Sequence, residues 1–248
     1  MIVFYWVMNM NTGFKKEIEV SFKDCDNYMV LSKLAVFNIV ENAVTEYMGI
    51  LKVDGRTAIE KYNGMWVYTK NKVNIYNDAH WQDKLTVIVD LSLIKSYKLY
   101  FDTKILLNDE LLATSKIELV AIDLATKTLR RCNTMGIEDS FQTGIPLDIN
   151  YLVDKHIDEY KHLCNVLVQS TNIDYLQHTN NIEYVRFVLN NINIDKIQKI
   201  SSIEALYMNQ THYLDTLDIN LFESDTYEQY QISLNNDSAV IIRIEYGR

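Results

Sequence analysis

The sequence predicts an α+β chain of two tandem copies of one unit, each an antiparallel sheet wrapped around a central helix. Three observations lead there: a repeated segment, an order of elements that recurs around it, and one apolar helical stripe in each half. The repeat emerges when the stretch from Asn77, NDAHWQDKLTV, is laid over the stretch from Asn209, NQTHYLDTLDI. Both carry Asn, a two-residue gap, His, an aromatic, Asp, Leu and a β-branched aliphatic at one spacing. Each then runs into apolar alternation, Leu85, Val87 and Val89 in the first copy and Leu217, Ile219 and Leu221 in the second, the pattern of a strand with one buried face.

Ahead of the anchor, each copy shows a strand and then a helix. The first strand spans roughly Glu17 to Phe22, and a helix from about Ser32 carries Leu34, Phe37, Val40, Val44 and Tyr47 at spacings of three and four. Ser32 is the expected N-cap and Gly49 the expected residue just past its end. In the second copy the strand covers Leu163 to Gln169, and a helix from about Asn180 places Ile182, Val185, Leu189 and Ile192 on one face. After the anchor, each copy makes a hairpin, through Asn108 and Asp109 and through Asn235, Asn236 and Asp237, residue types that tolerate positive φ.

A single helix burying its stripe against a curved antiparallel sheet is the hot-dog arrangement. Two copies can pair their sheets edge to edge within one chain, a pseudo-dimer, so a monomer or a homodimer is expected. Gly144 and the only proline, Pro146, interrupt the pattern in FQTGIPLDIN. Residues 1–137 are accordingly assigned to the first repeat, 138–150 to a linker and 151–248 to the second.

Composition narrows the function. The 248 residues are 48% hydrophobic, enough for a substantial core, and contain no run of apolar residues long enough for a membrane span. The opening MIVFYWVMNMNTG lacks a basic leader and a small-residue cleavage site, so a cytoplasmic protein is expected. A formal charge of −9 gives nucleic acid little to bind. Cys25, Cys132 and Cys164 lie far apart with no CxxC pair, which argues against a zinc site and for reduced thiols. Neither cysteine of the pair Cys132 and Cys164 stands beside a recognisable base, so a thiol nucleophile is not expected either.

One segment carries chemistry: DYLQHTNNIEY, from Asp174 to Tyr184. It resembles the Asp-x-x-x-His-x-Asn-Asn-x-x-Tyr signature of hot-dog thioesterases, and most of all that of the acyl-acyl-carrier-protein thioesterases of bacteria and plant plastids. That family is itself a tandem double hot-dog. The likeness extends to WVYTKNKVNIYNDAHWQDKLTV, to the TLRRC stretch closing the first repeat, and to YMNQTHYLDTLDI, which is similar to the family's Tyr-x-x-Glu strand. The resemblance implies hydrolysis of fatty acyl thioesters on acyl carrier protein to free fatty acid, in the second repeat, without metal or organic cofactor.

Thioester hydrolysis needs an activated water, a donor for the oxyanion and a dry slot for the chain. On the resemblance, Asp174 is the base or water-positioning carboxylate, His178 its partner and Gln210 an auxiliary. Leu176, Thr179, Asn180 and Asn181 line the substrate, and free N–H groups near Thr179 and Asn180 in the first turn of a helix are the expected oxyanion donors. Two positions depart from the family: Leu176 stands where the plant-type pattern has Asn, and Gln210 where the strand has Glu. Leucine donates no hydrogen bond and glutamine is no carboxylate base, so the chemistry rests on Asp174 and His178.

The equivalent of DYLQH in the first copy is DNYMV, Asp26 to Val30, where valine replaces histidine. The first repeat therefore reads as catalytically silent, and its apolar helix resembles the family's acyl-chain receptor. His80 and His212 occupy matched positions in both copies and read as structural, and Asn180 and Asn181 can equally serve as a helix cap. Lys127, Arg130 and Arg131 are a basic patch on which an acidic carrier protein could dock, or an ordinary solvated cluster. Two rival functions remain in view, an acyl-CoA thioesterase and a hot-dog module that binds acyl chains without turnover.

Overall fold

The structure, a computed structural model, describes residues 13–138, 141 and 143–247. The opening segment and linker residues 139, 140 and 142 lie outside the described residues. The chain divides into two compact units, one running up to Thr69 and over Ile75–Ile149, the other comprising Lys70–Asn74 and everything from Asn150.

The first unit begins with β1 (Phe14–Glu19), α1 (Lys33–Ile50), α2 (Gly55–Tyr62) and β2 (Gly64–Ile75), except for Lys70–Asn74 of that strand. It continues with β3 (Lys84–Lys95), β4 (Lys98–Leu107), β5 (Glu110–Asp123) and the short β6 (Leu129–Arg130). The strands lie in the order β1-β3-β4-β5-β2, with β6 beside β5. Alternation decides the faces: Leu85, Val87 and Val89 of β3 and Leu99, Phe101 and Ile105 of β4 are fully buried, as are Phe37, Val40 and Val44 of α1. Tyr47 of α1 meets Phe101 edge-on at 6.1 Å, so the helix stripe packs on this sheet face.

Ser32 caps α1 as expected, its hydroxyl accepting from the Ala35 N–H at 3.2 Å. Gly49 does not end it. The helix runs on to Ile50 and closes in a Schellman motif, with Val53 N–H donating to Met48 O at 3.0 Å, Lys52 N–H to Gly49 O at 3.1 Å, and Lys52 in the left-handed position at φ 59°. The cap therefore falls on a lysine, which bears no sequence signal. The expected first strand also shifts toward the N-terminus, because Val20 is held by bonds to Asp83 O and Gln82 N and ends the strand in a turn.

The second unit repeats the plan with β7 (Lys161–Leu167), α3 (Asn181–Leu189), α4 (Ile194–Ile197), β8 (Ile200–Tyr207), β9 (Thr216–Glu223), β10 (Tyr227–Leu234) and β11 (Asp237–Tyr246). Its strands lie in the order β8-β11-β10-β9-β7. Ile182, Val185 and Leu189 of α3 are buried, with Ile192 following just past its end. Both hairpins turn where expected, with positive φ at Asn108 and Asp109 and at Asn235 and Asn236, while Asp237 already begins β11.

The expected linker is tied down within its described part, where Gly144 N–H donates to Leu91 O at 3.0 Å. Lys116 donates to Leu147 O at 2.6 Å, and the buried Asp102 carboxylate accepts from Leu147 N–H at 2.6 Å. Burial raises the Asp102 carboxyl above its ordinary range, with the Leu147 N–H and Lys116 pulling the other way. Farther on, the Glu204 carboxylate accepts from the N–H groups of Leu152 and Val153. Among the described residues no helix is long and apolar enough to cross a membrane.

Candidate active site

The Asp174–His178 segment is a closed turn and not the start of a helix. Asp174 Oδ1 accepts from the N–H of Leu176 at 2.8 Å and of His178 at 3.2 Å, while Asp174 N–H donates back to His178 O at 2.8 Å. Gln177 has φ 65°, which breaks any helical path. The spacing of four thus reports a side chain folding its own backbone, as Asp does in turns. Helix α3 starts only at Asn181, with Asn180 as N-cap accepting from Ile182 N–H at 3.2 Å.

This geometry overturns the expected oxyanion donors. Thr179 N–H donates to Thr211 O and Asn180 N–H to Asn172 O, both at 2.8 Å. Both groups are therefore spent on the fold. The Asn180 side chain is spent on its cap, and Asn181 is the first residue of α3, its carbonyl 3.5 Å from the Tyr207 hydroxyl. Leu176 is half-buried, Thr179 buried and Gln210 exposed.

Below the turn lies a chain of hydroxyls. Thr179 and Thr211 Oγ1 are 2.7 Å apart, and Tyr184 Oη is 2.8 Å from Thr211 Oγ1. Burial raises the Tyr184 phenol above its ordinary range, although its hydrogen bonds with Thr211 and Thr179 oppose that, so it stays neutral. The Thr179–Thr211 clamp brings the next residues together: the rings of His178 and His212 meet edge-on with centroids 5.2 Å apart. His212 Nδ1 also lies 3.9 Å from Asp215 Oδ2. Sequence reasoning set His212 aside because His80 matches it. The signal that separates them lies across the bridge, where Val30 faces His80 and histidine stands at 178.

The first unit reproduces the same turn. Asp26 Oδ1 accepts from Tyr28 and Val30 N–H at 2.8 and 3.2 Å, Asp26 N–H donates to Val30 O at 2.8 Å, and Met29 has φ 62°. Leu31 N–H donates to Ala79 O and Ser32 N–H to Asp24 O, matching Thr179 and Asn180. The side chains differ. Leu31, Val36 and Ala79 stand where the second unit has Thr179, Tyr184 and Thr211, and an ion pair of Lys33 with Asp78 at 3.0 Å takes the places of Asn181 and Gln210.

Burial raises all three thiols, Cys132 to about 11, the opposite of what an activated thiolate needs. In the basic patch, Arg130 is turned inward to Tyr62 O and to Asp123 at 3.6 Å, while Lys127 and Arg131 stay exposed.

No protein-family model and no curated protein matches the sequence. Solved structures do resemble the chain. It is similar to an acyl-ACP thioesterase from Bacteroides thetaiotaomicron, with a TM-score of 0.88 at 15% identity over 96% of this chain and 100% of that one. It is also similar to the 12:0-ACP thioesterase of Umbellularia californica, with a TM-score of 0.77 at 15% identity over 98% and 99%. With its two strand–helix–sheet units, this chain has the fold of solved acyl-ACP thioesterases, the tandem double hot-dog.

Proposed function

We propose that this protein hydrolyses fatty acyl thioesters on acyl carrier protein, releasing free fatty acid and the carrier's thiol. One observation carries the reading: within a fold shared end to end with solved acyl-ACP thioesterases, a single turn of the second unit bears both a carboxylate, Asp174, and an imidazole, His178, whereas its twin in the first unit has no imidazole. Asp174 Oδ1 holds the turn, which leaves Oδ2 to position water. His178 takes a proton as the water oxygen attacks the acyl carbon, and returns it to the sulfur when the C–S bond breaks. Gln210, exposed beside Thr211, orients water or carbonyl, and Leu176 and Asn181 flank the substrate. The first unit is the receptor for the acyl chain. Lys127 and Arg131 offer an acidic carrier a charged contact, and no cofactor takes part.

The test is a thiol-release assay over a panel of acyl chain lengths on acyl carrier protein and on CoA. Faster release from the carrier protein supports the reading, and preference for CoA replaces the carrier. Retention of a bound acyl chain without release would favour a binding module, the reading that Leu176 and Gln210 support.

A further inference from the structure

We infer that His212 is a positioning residue for His178, a role that the sequence motif does not contain; the inference rests on the thioesterase reading above. The main-chain groups of His212 hold its place in the turn. Its N–H donates to Asp215 Oδ2 at 2.7 Å, and its carbonyl accepts from Asp215 N–H at 3.1 Å. His80 makes the same two bonds with Asp83, at 2.7 and 3.0 Å. Any side chain leaves such bonds intact, so the turn does not ask for an imidazole. Burial does not ask for one either, since the His212 side chain is 58% exposed.

What the ring does in the second unit is meet another ring. At 5.2 Å and 72° the two imidazoles form an edge-to-face pair, in which the positive edge of one lies against the electron-rich face of the other. When His178 becomes imidazolium, the neighbouring ring, whose Nδ1 lies 3.9 Å from the Asp215 carboxylate, stabilises the new charge and fixes the His178 ring's orientation. The Thr179–Thr211 hydroxyl bond and the Thr179 N–H to Thr211 O bond lock the adjacent residues, so the pairing is built in before substrate arrives.

The first unit supplies the control. His212→Gln, His212→Phe, His80→Gln and His178→Gln are each assayed on acylated carrier protein by thiol release, alongside thermal unfolding. His212→Gln is expected to lower kcat by on the order of tenfold, with KM within about twofold of the parent. His80→Gln should keep parental kcat and KM. His212→Phe, which keeps a ring against His178, should retain more kcat than His212→Gln, whereas a merely structural, solvent-facing residue predicts the reverse order. Equal losses in His80→Gln and His212→Gln overturn the inference, as does parental kcat in His212→Gln while His178→Gln is inactive; both leave the thioesterase reading standing. Absence of thiol release by the parent from every carrier overturns that reading, and the inference with it.

Discussion

Asp174 and Asp26 show how one side chain can serve two ends. Each spends one carboxylate oxygen on the same pair of backbone N–H groups, so the turn alone does not mark Asp174 as reactive. Asparagine keeps an oxygen for the turn and loses the charge. Asp174→Asn is therefore expected to fold and to lose kcat by about a hundredfold or more, while Asp26→Asn keeps parental turnover; steady-state thiol release checks both. Thr211→Val tests the hydroxyl chain below. It removes one partner of the buried Tyr184 hydroxyl and one of the Thr179 hydroxyl, and denaturant unfolding should show a loss of roughly 1–3 kcal/mol. The pair of matched segments was legible in the sequence as DYLQH and DNYMV. Their local conformation was not, because a spacing of four suits a helical turn and a side-chain-closed loop alike, and Gln177 at positive φ bears none of the usual glycine or asparagine signal.

Among the elements, those with strong local chemistry were read correctly: the α1 stripe with its Ser32 cap, the Asn108–Asp109 hairpin and the alternation in β3. Boundaries set by long-range bonds were not, as Val20 and Val168 show, each held by partners some tens of residues away in the chain. The end of α1 is the sharpest miss, since Gly49 lies inside the helix and Lys52 takes the left-handed position. That position has a measurable consequence. Glycine adopts positive φ without the steric penalty of a Cβ, so Lys52→Gly should stabilise the protein by roughly 0.5–1 kcal/mol once the greater freedom of the unfolded chain is deducted, raising the unfolding midpoint in denaturant.

At the scale of the whole molecule, acid stability depends on carboxylates whose charge the fold favours. Glu228 is buried on β10; burial opposes its charge, but hydrogen bonds from Lys196, Tyr246 and Tyr230 outweigh it and hold the carboxyl below its ordinary 4.5. A depressed folded-state value means stability that is present above 4.5 and lost as pH falls through the folded value. Thermal unfolding followed from neutral into acid pH should therefore fall less steeply below about 4.5 for Glu228→Gln than for the parent. The doubled architecture was legible because the anchor segments kept their spacing, while the loops between them carried too little shared sequence to show that their backbones coincide. That coincidence makes the turns interchangeable parts. Residues 172–180 grafted in place of 24–32 would follow a path already laid down by the Ala79 carbonyl, and would set an imidazole opposite His80, so the first unit offers a ready socket for a second copy of the proposed site.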